Sequence, residues 1–311
     1  MSAKQLGKRL LQIVLVAVGI SFLTFMITYL APGDPVTTMY AAAGMMPSEE
    51  IIQETREAMG LNRPMLVQYF DWLKNCLKGD FGTSYAYHKP VAALLLDRLW
   101  PTLKLSISSM FLMLLVAVPI GMVQATHKNS IVDYALRGIT FFGVSMPNFW
   151  VGLLLMLIFC VRLQLLPVVS SGGDVKSLIL PSVTLAFAMS AKYTRQVRTA
   201  ILEELNQDYV IGARARGVKE WQILWQNVFP NSLLPLITML GLSLGSLLGG
   251  TAVVEVIFSY PGMGSLAVAG ITAYDYPLIQ GYVLWISLIY MLVNLAVDIS
   301  YNYVDPRMRG R

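Results

Sequence analysis

Groups able to do covalent or metal chemistry are few in this chain and poorly spaced for it. It has two histidines, His88 and His127, and two cysteines, Cys76 and Cys160. Two cysteines exclude a cysteine-ligated zinc site, and no histidine falls in an apolar stretch where an intramembrane hydrolase would need one. The seventeen methionines are scattered and read as packing residues rather than soft metal ligands. No Gly-x4-Gly-Lys-Ser/Thr phosphate loop occurs, so nucleotide cannot be cradled by that route. Asp298 is the clearest ionisable residue within an apolar stretch, and intramembrane charge is a functional candidate by default. Its place near the end of that stretch leaves two readings, an ion pair with a neighbouring helix and a proton relay.

The remaining candidate is mechanical. Residues 208–217 read Asp-Tyr-Val-Ile-Gly-Ala-Arg-Ala-Arg-Gly. Asp208 is a good N-cap and Gly217 a good residue for the position after the C-cap, which predicts a two-turn helix. Gly212, Ala213 and Ala215 leave one side of it nearly bare, with Ala213 and Gly217 one turn apart. Bare backbone lets another protein approach closely, while Arg214 and Arg216 can reach acidic groups beside the contact. The alternative is a solvated basic loop near anionic lipid. A second amphipathic stretch, 219–228, runs on to Pro230.

Composition places the rest of the chain, which would hold such a helix, in a bilayer. Of 311 residues, 56% are hydrophobic and 13% charged, against about 25% charged in ordinary soluble domains. So little charge cannot cover a water-soluble surface, and the net charge of +5 is read for its placement around a membrane, not as a nucleic-acid footprint. Residues 10–31, 105–125, 138–161, 221–254 and 276–297 are uncharged and long enough to span; 177–191 is short. The positive-inside rule decides the short one. Lys4, Lys8 and Arg9 precede the first stretch, and Arg307, Arg309 and Arg311 follow the last. Five crossings would strand one cluster outside, whereas six put both in the cytoplasm, together with Lys192, Arg195, Arg198, Arg214, Arg216 and Lys219. The expectation is an all-α integral membrane protein of six helices. The first stretch is too long for a secretory signal core and lacks an Ala-x-Ala site, so it reads as an uncleaved anchor.

This topology divides the chain into 1–31, an extracytoplasmic segment 32–100, and a core 101–305 with a cytoplasmic loop 195–230. In the outer segment Ser48 caps a helix from Glu49, Pro64 leads another from Met65, and Gly60 and Gly79 end them. Pro32 and Pro35 are expected to stop the first helix. Gly241, Gly245, Gly249 and Gly250 recur at one-turn spacing on the fifth span, which fits close helix packing or a face toward a pathway or partner. Pro119 with Gly121, and Pro147, predict kinks, structural or hinge-like. Pro261-Gly262-x-Gly264 reads as a turn.

Taken together, these motifs resemble binding-protein-dependent ABC importer permeases of the peptide/nickel family. The resemblance rests on 204–217 with Asn231-Ser232-Leu233-Leu234-Pro235, on Pro32-Gly33-Asp34-Pro35, and on Asp80-Phe81-Gly82-Thr83-Ser84. It extends to Gly249-Gly250, Glu255, Phe258, Pro261-Gly262, Gly264 and Asp275-Tyr276-Pro277. Two positions depart from the pattern: Ile211 stands where many importer permeases have Glu, and Asp305 where the family usually has Asn. Within the family, Gly143-Val144-Ser145-Met146-Pro147-Asn148-Phe149-Trp150 and the short 163–176 loop resemble nickel permeases, with dipeptide or oligopeptide import as the alternative.

The resemblance implies a type I importer permease fold in the cell membrane. It also implies a second homologous permease, two ABC ATPases beneath and a solute-binding protein outside. No cofactor is expected on this chain, because ATP and magnesium act on the ATPases. The 208–217 helix would sit in an ATPase groove, and Glu255, Pro261, Gly262 and Gly264 would lie at the outer mouth. An ion-coupled secondary transporter is the rival class; repeat symmetry and midplane ionisable groups, its usual marks, are not visible.

Overall fold

The computed structural model describes residues 3–31, 33–169 and 174–304, and among these the regular structure is helical apart from an isolated Thr83–Pro90 bridge. Helix α1 (Ala3–Leu30) is the first span. Pro35 does not merely end it. Asp34 accepts a hydrogen bond from the Thr37 amide at 3.2 Å, and Pro35, whose missing N–H costs nothing at a first helical position, opens α2 (Pro35–Ala42). The two helices read from the sequence of residues 32–100 follow. Ser48 caps α3 (Glu49–Ala58), Pro64 precedes α4 (Met65–Cys76), and Gly60 and Gly79 take left-handed backbone after each.

Helix α5 (Val91–Thr126) runs as one continuous helix through Pro119. Pro147 does far more than kink. It pushes Met146 into extended backbone (φ −84°, ψ 128°), and α6 (Ile131–Ser145) meets α7 (Asn148–Met156) and its π-helical continuation Leu157–Arg162 at 94°. The short apolar stretch lies inside a full-length helix, α8 (Val175–Leu205), in which Lys192, Arg195 and Arg198 prolong the span. After α9 (Asp208–Ala215) and α10 (Glu220–Gln222), a π-turn Ile223–Val228 leads into α11 (Phe229–Gly250), with a 44° bend near Pro235. Helices α12 (Ala252–Ile257), α13 (Met263–Thr272) and α14 (Tyr276–Val304) complete the chain. Counting each bent pair as one, six spans result. Asp305 lies outside the described residues.

The chain forms two compact units. One holds the chain up to Thr102 with Leu248–Ala252 and Pro261–Leu292; the other holds Leu103–Leu247, Val253–Tyr260 and the chain from Val293. In the first, Tyr69 of α4 is buried against α1, its hydroxyl 2.9 Å from Ser21 Oγ and its ring edge-on to Phe22 and Phe25. A second cluster there joins Phe81, Val91, Leu95, Met263, Leu266 and Leu278. In the second unit α5 and α8 touch through Gly121, where a Cβ would come within 2.7 Å of Val197. Such close approach is how helices associate in lipid, where burying apolar surface brings little gain.

Candidate functional site

The 208–217 segment folds as the two-turn helix its sequence predicts, with one shift at its start. Gln207 occupies the N-cap without a side-chain bond, and Asp208 is the first helical residue, where its charge still favours the helix N-terminus. The C-terminal end is as read. Gly217 is left-handed (φ +74°), its N–H donates to Arg214 O at 2.9 Å, and Val218 N–H donates to Ala213 O at 3.2 Å. These two bonds form a Schellman closure, which only glycine enters without strain.

The three small residues do not share one outward face. Val210 (0% exposed) and Ala213 (4%) are buried in a cluster with Met122 and Ala125 of α5, Val197 and Ile201 of α8, Ile223 and Val228 of the π-turn, and Leu236 of α11. Ala213 therefore seats the helix on its own chain, which corrects the expectation that its small side chain is kept for a partner. The small residue is needed because α9 must approach the spans closely. The outward face carries Asp208, Ile211 (58% exposed), Arg214, Ala215 and Arg216, with Gly212 half-buried between the faces. Two polar contacts stiffen the segment. Arg214 donates from Nε to Glu220 Oε1 at 2.7 Å and from Nη2 to Oε2 at 3.1 Å. The Tyr209 hydroxyl donates to Glu204 Oε2 at 2.6 Å; burial first, then that bond, push its pKa up to about 12.

Of the fifth-span glycines, Gly241 is a packing position: a Cβ there would fall 2.0 Å from Val297 Cγ2 on α14. Gly245 is buried, whereas Gly249 is exposed with Ile286 3.9 Å from where a Cβ would be, and Gly250 closes α11. Asp298 is half-buried on α14. At the other motif the chain turns earlier than expected, at Phe258–Ser259; Gly262 is the extended N-cap of α13, Gly264 lies within that helix, and a Cβ on it would come 2.6 Å from Ala252 Cα. Glu255 and Gly262 are also buried, so these residues hold the chain together and present no side chain outward. The exposed groups nearby are Val253, Val256, Ile271 and Tyr274.

Two arrangements escaped the sequence reading. Asp275 is fully buried: Ser84 Oγ donates to its Oδ2 at 2.5 Å, Ala86 N–H to Oδ2 at 3.1 Å, and Leu278 N–H to Oδ1 at 3.2 Å. The motifs 80–84 and 275–277 are thus two halves of one network. Gly82 serves it with left-handed backbone (φ +84°) and an N–H donating to Asp80 Oδ1 at 2.9 Å. Burial, and then the charge of Asp275, push the Tyr85 hydroxyl up to about 12. In the second unit Asp133, also fully buried, takes Nε of Arg137 at 2.9 Å and of Arg198 at 3.1 Å on Oδ1. Its Oδ2 accepts Nη2 of both and the Asn129 N–H. The Asp133–Arg137 spacing of four was the available signal; Arg198, 65 residues on, gave none.

The comparisons agree with this architecture. Residues 117–310 match the family model described as the binding-protein-dependent transport system inner membrane component, and residues 3–106 match the N-terminal membrane component of such systems. An oligopeptide transport system permease protein of Bacillus subtilis is 39% identical over 318 residues, covering 97% of this chain and 98% of that one. A glutathione transport system permease protein of Salmonella choleraesuis is 38% identical over 302 residues, 97% of each. The "Probable D,D-dipeptide transport system permease protein" of Escherichia coli K12 is 36% identical over 331 residues, covering 97% and 96%. Among solved structures, an inward-facing form of the MetNI methionine ABC transporter superposes with a TM-score of 0.58 at 18% identity, over 68% of this chain and 96% of that one, which shows the fold. The chain therefore belongs to the inner membrane component family of binding-protein-dependent transport systems, a multi-pass permease of the type I fold in an ABC importer whose ATP is hydrolysed by separate subunits.

Proposed function

We propose that this permease imports small peptides, and that α9 receives the stroke of the ATPases. The relatives at 36–39% identity are named for oligopeptides, glutathione and D,D-dipeptides, and this favours a peptide over the nickel chelate suggested by residues 143–150. The chain forms half of the pathway beside a second homologous permease, with two ATPases beneath and a solute-binding protein outside. Both termini and the 195–230 loop face the cytoplasm, while 32–100 lies outside.

The observation that carries the mechanism is the seating of α9. Val210 and Ala213 tie it to α5, α8 and α11 at once, so displacement of this short helix is passed to three spans rather than absorbed by a slack loop. ATP-driven closure of the ATPases moves α9, and the bundle rocks between inward- and outward-facing states as alternating access requires. Ile211 and Ala215, exposed and uncharged, give the ATPase an apolar contact, where many relatives of this fold would place a Glu at 211.

Uptake in cells with and without this chain tests the cargo. Labelled dipeptides should accumulate only when the chain is present, and labelled nickel, with or without chelator, should be taken up equally in both. Chain-dependent nickel uptake without peptide uptake would reverse the assignment.

A further inference from the structure

Within the second unit, a cavity of about 320 Å³ lies among α5, α6 and α8, and it is not part of the α9 seat. Its walls follow helix periodicity: Arg137, Thr140, Phe141 and Val144 from α6, and Ala191, Arg195 and Arg198 from α8. Gln124 of α5 completes them. Three guanidiniums and one carboxylate, Asp133, meet at this place, leaving an excess of two positive charges. Arg137 and Arg198 are held by Asp133, whereas Arg195 has no ion-pair partner among the described residues.

Gln124 says what the excess is for. Its side chain is 1% exposed, and its Nε2 donates to nothing. A buried donor without an acceptor is destabilising, so it is normally kept only where something fills it. A donor amide, a free guanidinium and two oriented ones converge on an acceptor that is negative and has several oxygens. The cavity has an apolar flank, Phe141 and Val144, both exposed, along which hydrocarbon can lie. In the topology proposed above, it opens at the depth of the inner-leaflet headgroups. Basic pockets between helices on that side suit anionic lipid.

We propose that this cavity binds a phosphate oxyanion, supplied by the headgroup of an anionic phospholipid whose chains run along the exposed face of α6. The phosphate oxygens accept from Arg195 and Gln124 Nε2, while Asp133 keeps Arg137 and Arg198 aligned behind them. The proposal rests on the permease reading only for the membrane depth of the cavity.

Native mass spectrometry of the full-length chain in mixed micelles of phosphatidylglycerol and phosphatidylcholine tests it. The wild type should retain phosphatidylglycerol in preference, and Arg195→Gln, at an exposed position, should cut that preference roughly fivefold. Gln124→Leu should lower it too. A parallel arm adds inorganic phosphate to the chain in phosphatidylcholine alone. Thermal stabilisation there, absent in Arg195→Gln, supports the same site with free phosphate as its source. Equal retention of both lipids by the wild type with no phosphate effect overturns the proposal. So does an Arg195→Gln variant that behaves as wild type, or displacement of the lipid by a dipeptide but not by its C-terminal amide. Peptide uptake by the wild type, measured separately, keeps failure of this site distinct from failure of the import function.

Discussion

Asp133 and Asp275 are both fully buried, yet one is satisfied by charge and the other by neutral donors. Asp133 holds two arginines from two helices in forked contacts. Asp275 collects a hydroxyl and two backbone amides, tying the 80–84 motif to the start of α14. The contrast teaches what each place has to withstand. Arginine forks fix the relative rotation of α6 and α8 with few atoms, and they remain strong where lipid limits solvent screening. A carboxylate fed by amides fixes a loop's conformation, because the donors are the chain itself.

Substitutions at three positions break or sharpen that comparison. Asp133→Ala should show the largest loss, about 3 kcal/mol in thermal or denaturant unfolding in detergent, because it strands two aligned guanidiniums. Asp133→Asn should recover little of it, since the missing quantity is charge. Asp275→Asn comes next, at about 1–2 kcal/mol, from an amide N–H2 set against donors. If the two Asn variants lose equal stability, the distinction between charged and neutral satisfaction is wrong. Ile211→Glu should change stability least, within about 0.5 kcal/mol, because the side chain is exposed. Peptide uptake should nevertheless fall while ATP hydrolysis by the assembled importer continues. Undiminished uptake would remove the outward face of α9 from the coupling contact.

How much of this was legible depended on range. Ser48, Gly60, Gly79 and Gly217 act on bonds within a few residues, and each does what its type predicts. The first helix ends before Pro35 as expected, but the second role of Pro35 was missed: a proline that stops one helix is equally fitted to start the next, and Asp34 decides for that. The inward turn of Ala213 could not be read from the loop: which face of a short helix is buried is set by α5, α8 and α11, distant in sequence. Motifs 80–84 and 275–277 were both visible, but nothing local says that Ser84 and Asp275 meet across 191 residues. Pro147 was expected to bend the chain. The right angle follows from Met146 going fully extended before it, which ends α6 outright.

Gly264 has a wider implication. The obstacle a methyl would meet there is the main chain of Ala252, not a side chain free to swing aside. Where the obstacle is a flexible side chain, repacking can meet a substitution; at this junction it requires two stretches of backbone to part. A single hydrogen atom thus sets the gauge between α13 and the start of α12, and variation around it must be accommodated in loops rather than in that spacing.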